Sequence, residues 1–104
     1  MGFIGHALWR ELIDHGWNVT VIDDLRFINK ELLRVRHEHC FRRLWHKGKA
    51  DDLGMIYRNI RSKDTIIYHL ASHPNQAAVA KDPYGACENI VGVTNKLAHF
   101  CAEN

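Results

Sequence analysis

Cysteine is scarce in this 104-residue chain: Cys40, Cys87 and Cys101 are the whole complement. An odd number at wide spacing builds no disulfide framework and fits free thiols in a reducing compartment. Long apolar runs are missing too. No stretch approaches the roughly 20 residues of a membrane span, and the amino end lacks the basic-then-apolar pattern of a secretory signal. A cytoplasmic location is therefore expected, with no membrane partner. Charge of one sign is not in excess. Fourteen Lys and Arg stand against 12 Asp and Glu, a net of +2, which by itself is too little to imply nucleic acid or a membrane surface. Internal repeats, low-complexity tracts and linkers are absent. At 46% hydrophobic and 25% charged, the composition is that of an ordinary globular protein, and the length allows one domain with a small core.

Residues 1–25 carry most of what is there. Gly2 and Gly5 stand three apart at the head of an amphipathic segment in which Leu8, Trp9, Leu12 and Ile13 share one helical stripe. A side chain at the first glycine would keep a pyrophosphate from the backbone, and one at the second would hold the helix off its strand. The start of the helix offers unpaired N–H groups and a partial positive charge. Gly16 falls where a C-cap glycine is expected. Val19, Val21 and Ile22 make a β-rich run, and Asp23 stands at its carboxyl end, where ligands collect in open α/β sheets. A carboxylate there accepts adenosine ribose hydroxyls, each charge-assisted bond contributing about 1.5–3 kcal/mol. It also repels a 2′-phosphate, so Asp23 argues for NAD over NADP, with Arg26 pulling the other way. Taken singly, these are turn glycines and a strand-end cap. In this order, they favour dinucleotide binding.

The chain after Arg26 alternates helix and strand. Ile28, Leu32, Val35 and His39 fall on one helical face. Arg34, Arg36, Arg42, Arg43, Lys47 and Lys49 make this the most basic region, but no aromatic platform or recognition motif accompanies them, so they read as a solvated face and no nucleic-acid partner is expected. His37, His39, Cys40 and His46 form one cluster without a second matching pair of ligands, so no metal site is expected. Residues 41–46 are a weak strand. Leu53, Ile56, Tyr57 and Ile60 repeat as a short helix that Asp51 or Asp52 caps, and Ser62, Lys63 and Asp64 form a turn. Residues 65–71 are the strongest strand, a β-branched and apolar run expected to be buried on both faces; His69 within it reads as a core histidine. Asp82-Pro83 starts a long helix with Ala86, Ile90, Val93, Leu97 and Cys101 as its stripe. Gly92 inside that helix suggests close packing on a sheet.

These residues resemble the NAD-dependent epimerase/dehydratase family, the extended short-chain dehydrogenase/reductases that act largely on nucleotide sugars. Gly2-Phe3-Ile4-Gly5 matches the end of the family's T-G-G-x-G-F-I-G loop. Val21-Ile22-Asp23-Asp24-Leu25 matches its V-x-D-D/N-L strand end, and His69-Leu70-Ala71-Ser72 its H-L-A-A segment. Asp82-Pro83 and residues 89–95 match D-P-x-x-x-x-x-N-V-x-G-T-x-N. The resemblance implies a cofactor-binding set of Gly2, Phe3, Ile4, Gly5, Asp23, Asp24, Leu25, Leu70, Ala71, Ser72 and Asn89. In it Gly2 and Gly5 flank the pyrophosphate, Asp23 holds the adenosine ribose, Ala71 and Ser72 pass the nicotinamide side, and Asn89 supports the neighbouring site. The fold implied is α/β: an incomplete Rossmann-like three-layer fold whose parallel sheet lacks its first strand.

The departures from the family are equally specific. Its G-D-x-x-D loop aligns with residues 48–52, where Lys49 replaces the first aspartate. No tyrosine is followed by a lysine four residues on, since Arg61, Ser72 and Glu88 occupy those positions. The catalytic serine or threonine, the Tyr-x-x-x-Lys pair and the substrate domain are not in this sequence, so no catalytic residue is assigned. The simplest expectation is a partial NAD(P)-binding domain over residues 1–104, truncated at both ends, with Met1 an internal methionine. Loss of a buried first strand forfeits on the order of 10 kcal/mol, comparable to the whole stability of a domain at about 5–15 kcal/mol. Three functions are compatible with these features. The chain is a fragment of a nucleotide-sugar epimerase or dehydratase, with the sugar a partner only in a complete chain; or a non-catalytic module binding a nucleotide or a protein, or self-associating, through exposed strands; or an inert remnant.

Overall fold

A computed structural model describes residues 2–26, 45–60, 62–72 and 76–104. The chain divides into two compact units, residues 1–49 and 50–104.

In the first unit, helix α1 spans Phe3–Asp14. Its apolar stripe is the buried face: Trp9 is buried, and Leu8, Leu12 and Ile13 are half-buried. The ring of His6, one turn earlier, lies 6.0 Å from that of Trp9. The helix ends at Gly16, as the sequence indicates. Gly16 sits at φ +80°, its N–H donates to the Ile13 carbonyl (2.9 Å), and the Trp17 N–H donates to the Leu12 carbonyl (3.0 Å). This bond pair closes the last turn only through a left-handed residue, which is why glycine stands there. Strand β1 (Val21–Asp23) pairs in parallel with β2 (Trp45–Lys47), Val21 opposite Trp45, Ile22 opposite His46 and Asp23 opposite Lys47. Among the described residues these two strands are the whole sheet. Parallel neighbours require a crossover connection. A helix followed by parallel strands is the α/β pattern, consistent with part of a Rossmann-like fold.

The helix expected through Ile28, Leu32, Val35 and His39 lies outside the described residues, as do His37, Cys40, Phe41 and Leu44. Of the weak strand expected at residues 41–46, the described residues Trp45 and His46 lie in β2, which continues to Lys47.

In the second unit, α2 spans Leu53–Asn59 and is capped by Asp52, whose Oδ1 accepts the Met55 N–H at 2.9 Å. Ile56 is its buried residue, while Tyr57 stays exposed. The turn at residues 62–65 is built by Ser62 and Thr65. Asp64 N–H donates to Ser62 Oγ (3.2 Å), and the Thr65 hydroxyl donates to the Ser62 carbonyl (2.8 Å). A short helix, α3 (Gln76–Lys81), precedes α4 (Pro83–Cys87). Asp82 caps α4 by accepting the Gly85 N–H at 2.9 Å, with Pro83 in the first turn, as the sequence predicts. A π-helical turn, Glu88–Gly92, joins α4 to α5 (Val93–Glu103). Lys96 Nζ donates to Asp51 Oδ2 at 3.1 Å, tying α5 to the turn before α2.

Two expectations for this unit are corrected. Residues 65–71 form no strand, and Ile66, Tyr68 and Leu70 are 60%, 55% and 48% exposed rather than buried on both faces. A strand exists only through its ladder, and this segment has no ladder partner among the described residues. The helical stripe is also re-aimed. Ala86, Val93, Leu97 and Phe100 are buried, but Ile90 and Cys101 are exposed. In the π-turn the Val93 N–H reaches back to the Glu88 carbonyl, five residues away, and the widened turn re-phases the helical face of α5. The nearest neighbours of Gly92, finally, lie one turn earlier in the same helical stretch. A Cβ there would meet the Glu88 carboxylate, 3.1 Å from Oε2.

Candidate functional site

The predicted cofactor residues fall into two groups, one in each unit. Gly2, Phe3, Ile4 and Gly5 build the mouth of α1. Gly2 is the N-cap, with extended backbone at φ −80° and ψ −172°, and no side chain caps it. The first turn carries no acidic residue. Among the described residues no side chain caps the N–H groups at this end, and the helix dipole favours an anion beside them. A Cβ built on Gly2 meets nothing within 4 Å, so the approach to the backbone is open. Phe3 and Ile4 are exposed, Phe3 at 93%, and Gly5 is half-buried.

Asp23, Asp24 and Leu25 form one tight turn at the carboxyl end of β1. The Gly48 N–H donates to the Asp23 carbonyl (3.1 Å), continuing the ladder past β2. The Asp23 carboxylate accepts the Leu25 N–H through Oδ1 at 2.7 Å. Leu25 lies at φ +65°. A β-carbon in the left-handed region costs roughly 1–2 kcal/mol, offset here in part by the charge-assisted bond to its N–H. Asp24 accepts the Arg26 N–H through Oδ1 (3.1 Å) and the Arg26 Nε through Oδ2. Both side chains are partly solvated, so the ion pair contributes only about 0–1 kcal/mol to stability. Its larger effect is on where the guanidinium points.

In the second unit, Leu70, Ala71 and Ser72 are exposed and lie in no regular element. Asn89 is half-buried inside the π-turn, where its Nδ2 donates to the Gly85 carbonyl at 2.7 Å. Thr94 covers a second carbonyl of this stretch, that of Ile90. Lys49, which stands where the resembling family's loop has its first aspartate, is exposed. The two aspartates after it have structural partners: Asp51 pairs with Lys96 and Asp52 caps α2.

Sequence reasoning overlooked the Asp24–Arg26 pair and the left-handed Leu25. The available signal was local: an aspartate readily accepts the N–H two residues on, and two adjacent aspartates do so twice here. Among the described residues no group of His, Cys, Asp and Glu is placed to hold a metal ion, and no helix is long and apolar enough to cross a membrane.

A sequence model of the NAD dependent epimerase/dehydratase family matches the chain over residues 1–104. No curated protein and no solved structure matches it. The family is NAD(P)-dependent and binds a dinucleotide cofactor. With the family matched over its whole length, and a glycine-headed helix followed by parallel strands and a strand-end aspartate in its first unit, the chain belongs to the NAD dependent epimerase/dehydratase family.

Proposed function

We propose that the first unit binds the ADP part of NAD(H), as part of a nucleotide-sugar epimerase or dehydratase. The observation that carries this reading is the uncapped amino end of α1, headed by a glycine whose missing side chain leaves the backbone open. The pyrophosphate sits at the N–H groups of that turn, and Asp23 accepts the adenosine ribose hydroxyls. Asp23 and Asp24 put two carboxylates at the ribose end, which favours NAD over NADP. Leu70, Ala71, Ser72 and Asn89 enter as cofactor residues through the family resemblance alone. The chain has no Tyr-x-x-x-Lys pair, so binding without turnover is expected of it.

Calorimetric titration of the chain with NAD, NADP, ADP-ribose and AMP tests this. Heat is expected from NAD and ADP-ribose, with AMP weaker because it lacks the second phosphate. Binding of NAD alone, with none of ADP-ribose, would remove Asp23 and the α1 mouth from the site. A second reading, a non-catalytic module that binds protein, is favoured by the exposure of Ile66, Tyr68 and Leu70. Absence of any nucleotide heat, together with concentration-dependent association in sedimentation, would favour it over the first.

A further inference from the structure

We propose that Asp24 is a positioning residue for cofactor choice: it holds Arg26 so that the cation of this turn is engaged by a neighbouring carboxylate and is kept from a 2′-phosphate. The inference rests on the reading of Asp23 as the ribose acceptor and adds a device beside it.

The turn after β1 is made by two successive bonds of the same kind. Asp23 Oδ1 takes the Leu25 N–H at 2.7 Å, and Asp24 Oδ1 takes the Arg26 N–H at 3.1 Å. Between them Leu25 is held at φ +65°, a conformation that a branched side chain adopts only when its surroundings impose it. Arg26 is therefore gripped at both ends by one carboxylate: Oδ1 fixes its backbone and Oδ2 takes its Nε. The guanidinium is a rigid fork, so a bond at Nε sets the direction of the whole plane. An arginine just beyond the ribose-binding acid is the group that accommodates a 2′-phosphate in NADP-binding proteins of this architecture. Here the same residue type is present and is turned toward Asp24. Removing the Asp24 charge does two things in one direction: it takes away the acceptor that aims the fork through Nε, and it deletes a carboxylate that repels phosphate.

The test is titration of the intact chain with NAD and NADP in four forms: wild type, Asp24→Asn, Arg26→Gln and the double variant. In Asp24→Asn the NADP-to-NAD affinity ratio is expected to rise by roughly tenfold, as one charge-assisted phosphate contact would produce. The double variant is expected to lose the part of that rise that the guanidinium supplies and to keep the smaller part due to the lost carboxylate, so its ratio falls between those of the wild type and Asp24→Asn. Arg26→Gln alone is expected to leave NADP affinity within about twofold, because in the wild type the fork is not on the phosphate. An unchanged ratio in Asp24→Asn with NAD binding intact overturns the proposal and leaves the ribose role of Asp23 standing. A loss of about tenfold in NADP affinity in Arg26→Gln also overturns it, by showing the fork already on the phosphate. Should Asp24→Asn fail to fold, the Arg26→Gln arm decides alone, its side chain being 60% exposed. Failure of the wild type to bind either dinucleotide overturns the underlying reading, and the device falls with it.

Discussion

Replacing Gly2 by serine should move stability and binding in opposite directions. Gly2 is the N-cap of α1, has extended backbone that any residue adopts, and has nothing within 4 Å of a built Cβ. Serine at an N-cap is at least as good as glycine, because its hydroxyl accepts the N–H of the residue two or three positions on, here Ile4 or Gly5. The expected effect on folding is a gain of a few tenths of a kcal/mol, seen as a rise of about 1–2 °C in Tm. The same hydroxyl occupies a donor that the pyrophosphate would use, and the new side chain stands in the phosphate's path. With one charge-assisted contact at about 1.5–3 kcal/mol, NAD affinity should fall roughly tenfold to a hundredfold. Melting followed by circular dichroism and titration calorimetry on the same sample give both numbers. A Gly2→Ser variant that melts no lower than the wild type and binds NAD equally well would show that the α1 mouth is not the phosphate seat.

Other substitutions test the fold more than the site. Gly16→Ala forces a β-carbon into a left-handed residue at φ +80° and should lower stability by about 1–2 kcal/mol, a drop of several degrees in Tm; a melt matching the wild type would contradict the terminus described for α1. Asp52→Ala removes the cap of α2 and should cost about 1 kcal/mol in a urea titration. Gly92→Ala should stabilise by up to about 1 kcal/mol, since the crowding is with the Glu88 carboxylate, which can swing into solvent; a loss would mean that Glu88 is held. Leu97→Ala opens the small core of the second unit and should cost about 2–5 kcal/mol, enough to leave a chain of marginal stability largely unfolded at room temperature.

What the sequence made legible was local chemistry. The end of α1 at Gly16, the caps at Asp52 and Asp82, the turn at Ser62 and the strand ending in Asp23 each depend on residues a few positions apart, and each was readable from residue type alone. What failed depended on neighbours. Residues 65–71 have every intrinsic preference for a strand, but preference does not supply a ladder. Ile90 and Cys101 fit an ideal helical stripe, but a π-turn lies between Ala86 and Val93, and no composition announces where a helix will widen. Helix α3 is six residues long and carries no full stripe, so periodicity had nothing to register. In the candidate site, the places of Gly2 at the head of α1 and of Asp23 at the end of β1 were legible because helix starts and strand ends depend on nearby residue types. The clamp on Arg26 was not, because it depends on which way two short side chains fold back on their own turn.

The uncovered heptapeptide Thr-Ile-Ile-Tyr-His-Leu-Ala at residues 65–71 also governs how the chain behaves in bulk. It has no proline, no glycine and no Asp, Glu, Lys or Arg, and its large side chains alternate outward. Those are the traits of sequences that stack copy on copy into fibrils, with backbone pairing at a spacing of about 4.7–4.8 Å. Shelf life and yield should therefore fall as concentration rises, and Tyr68→Lys, which introduces a gatekeeper charge, should improve both.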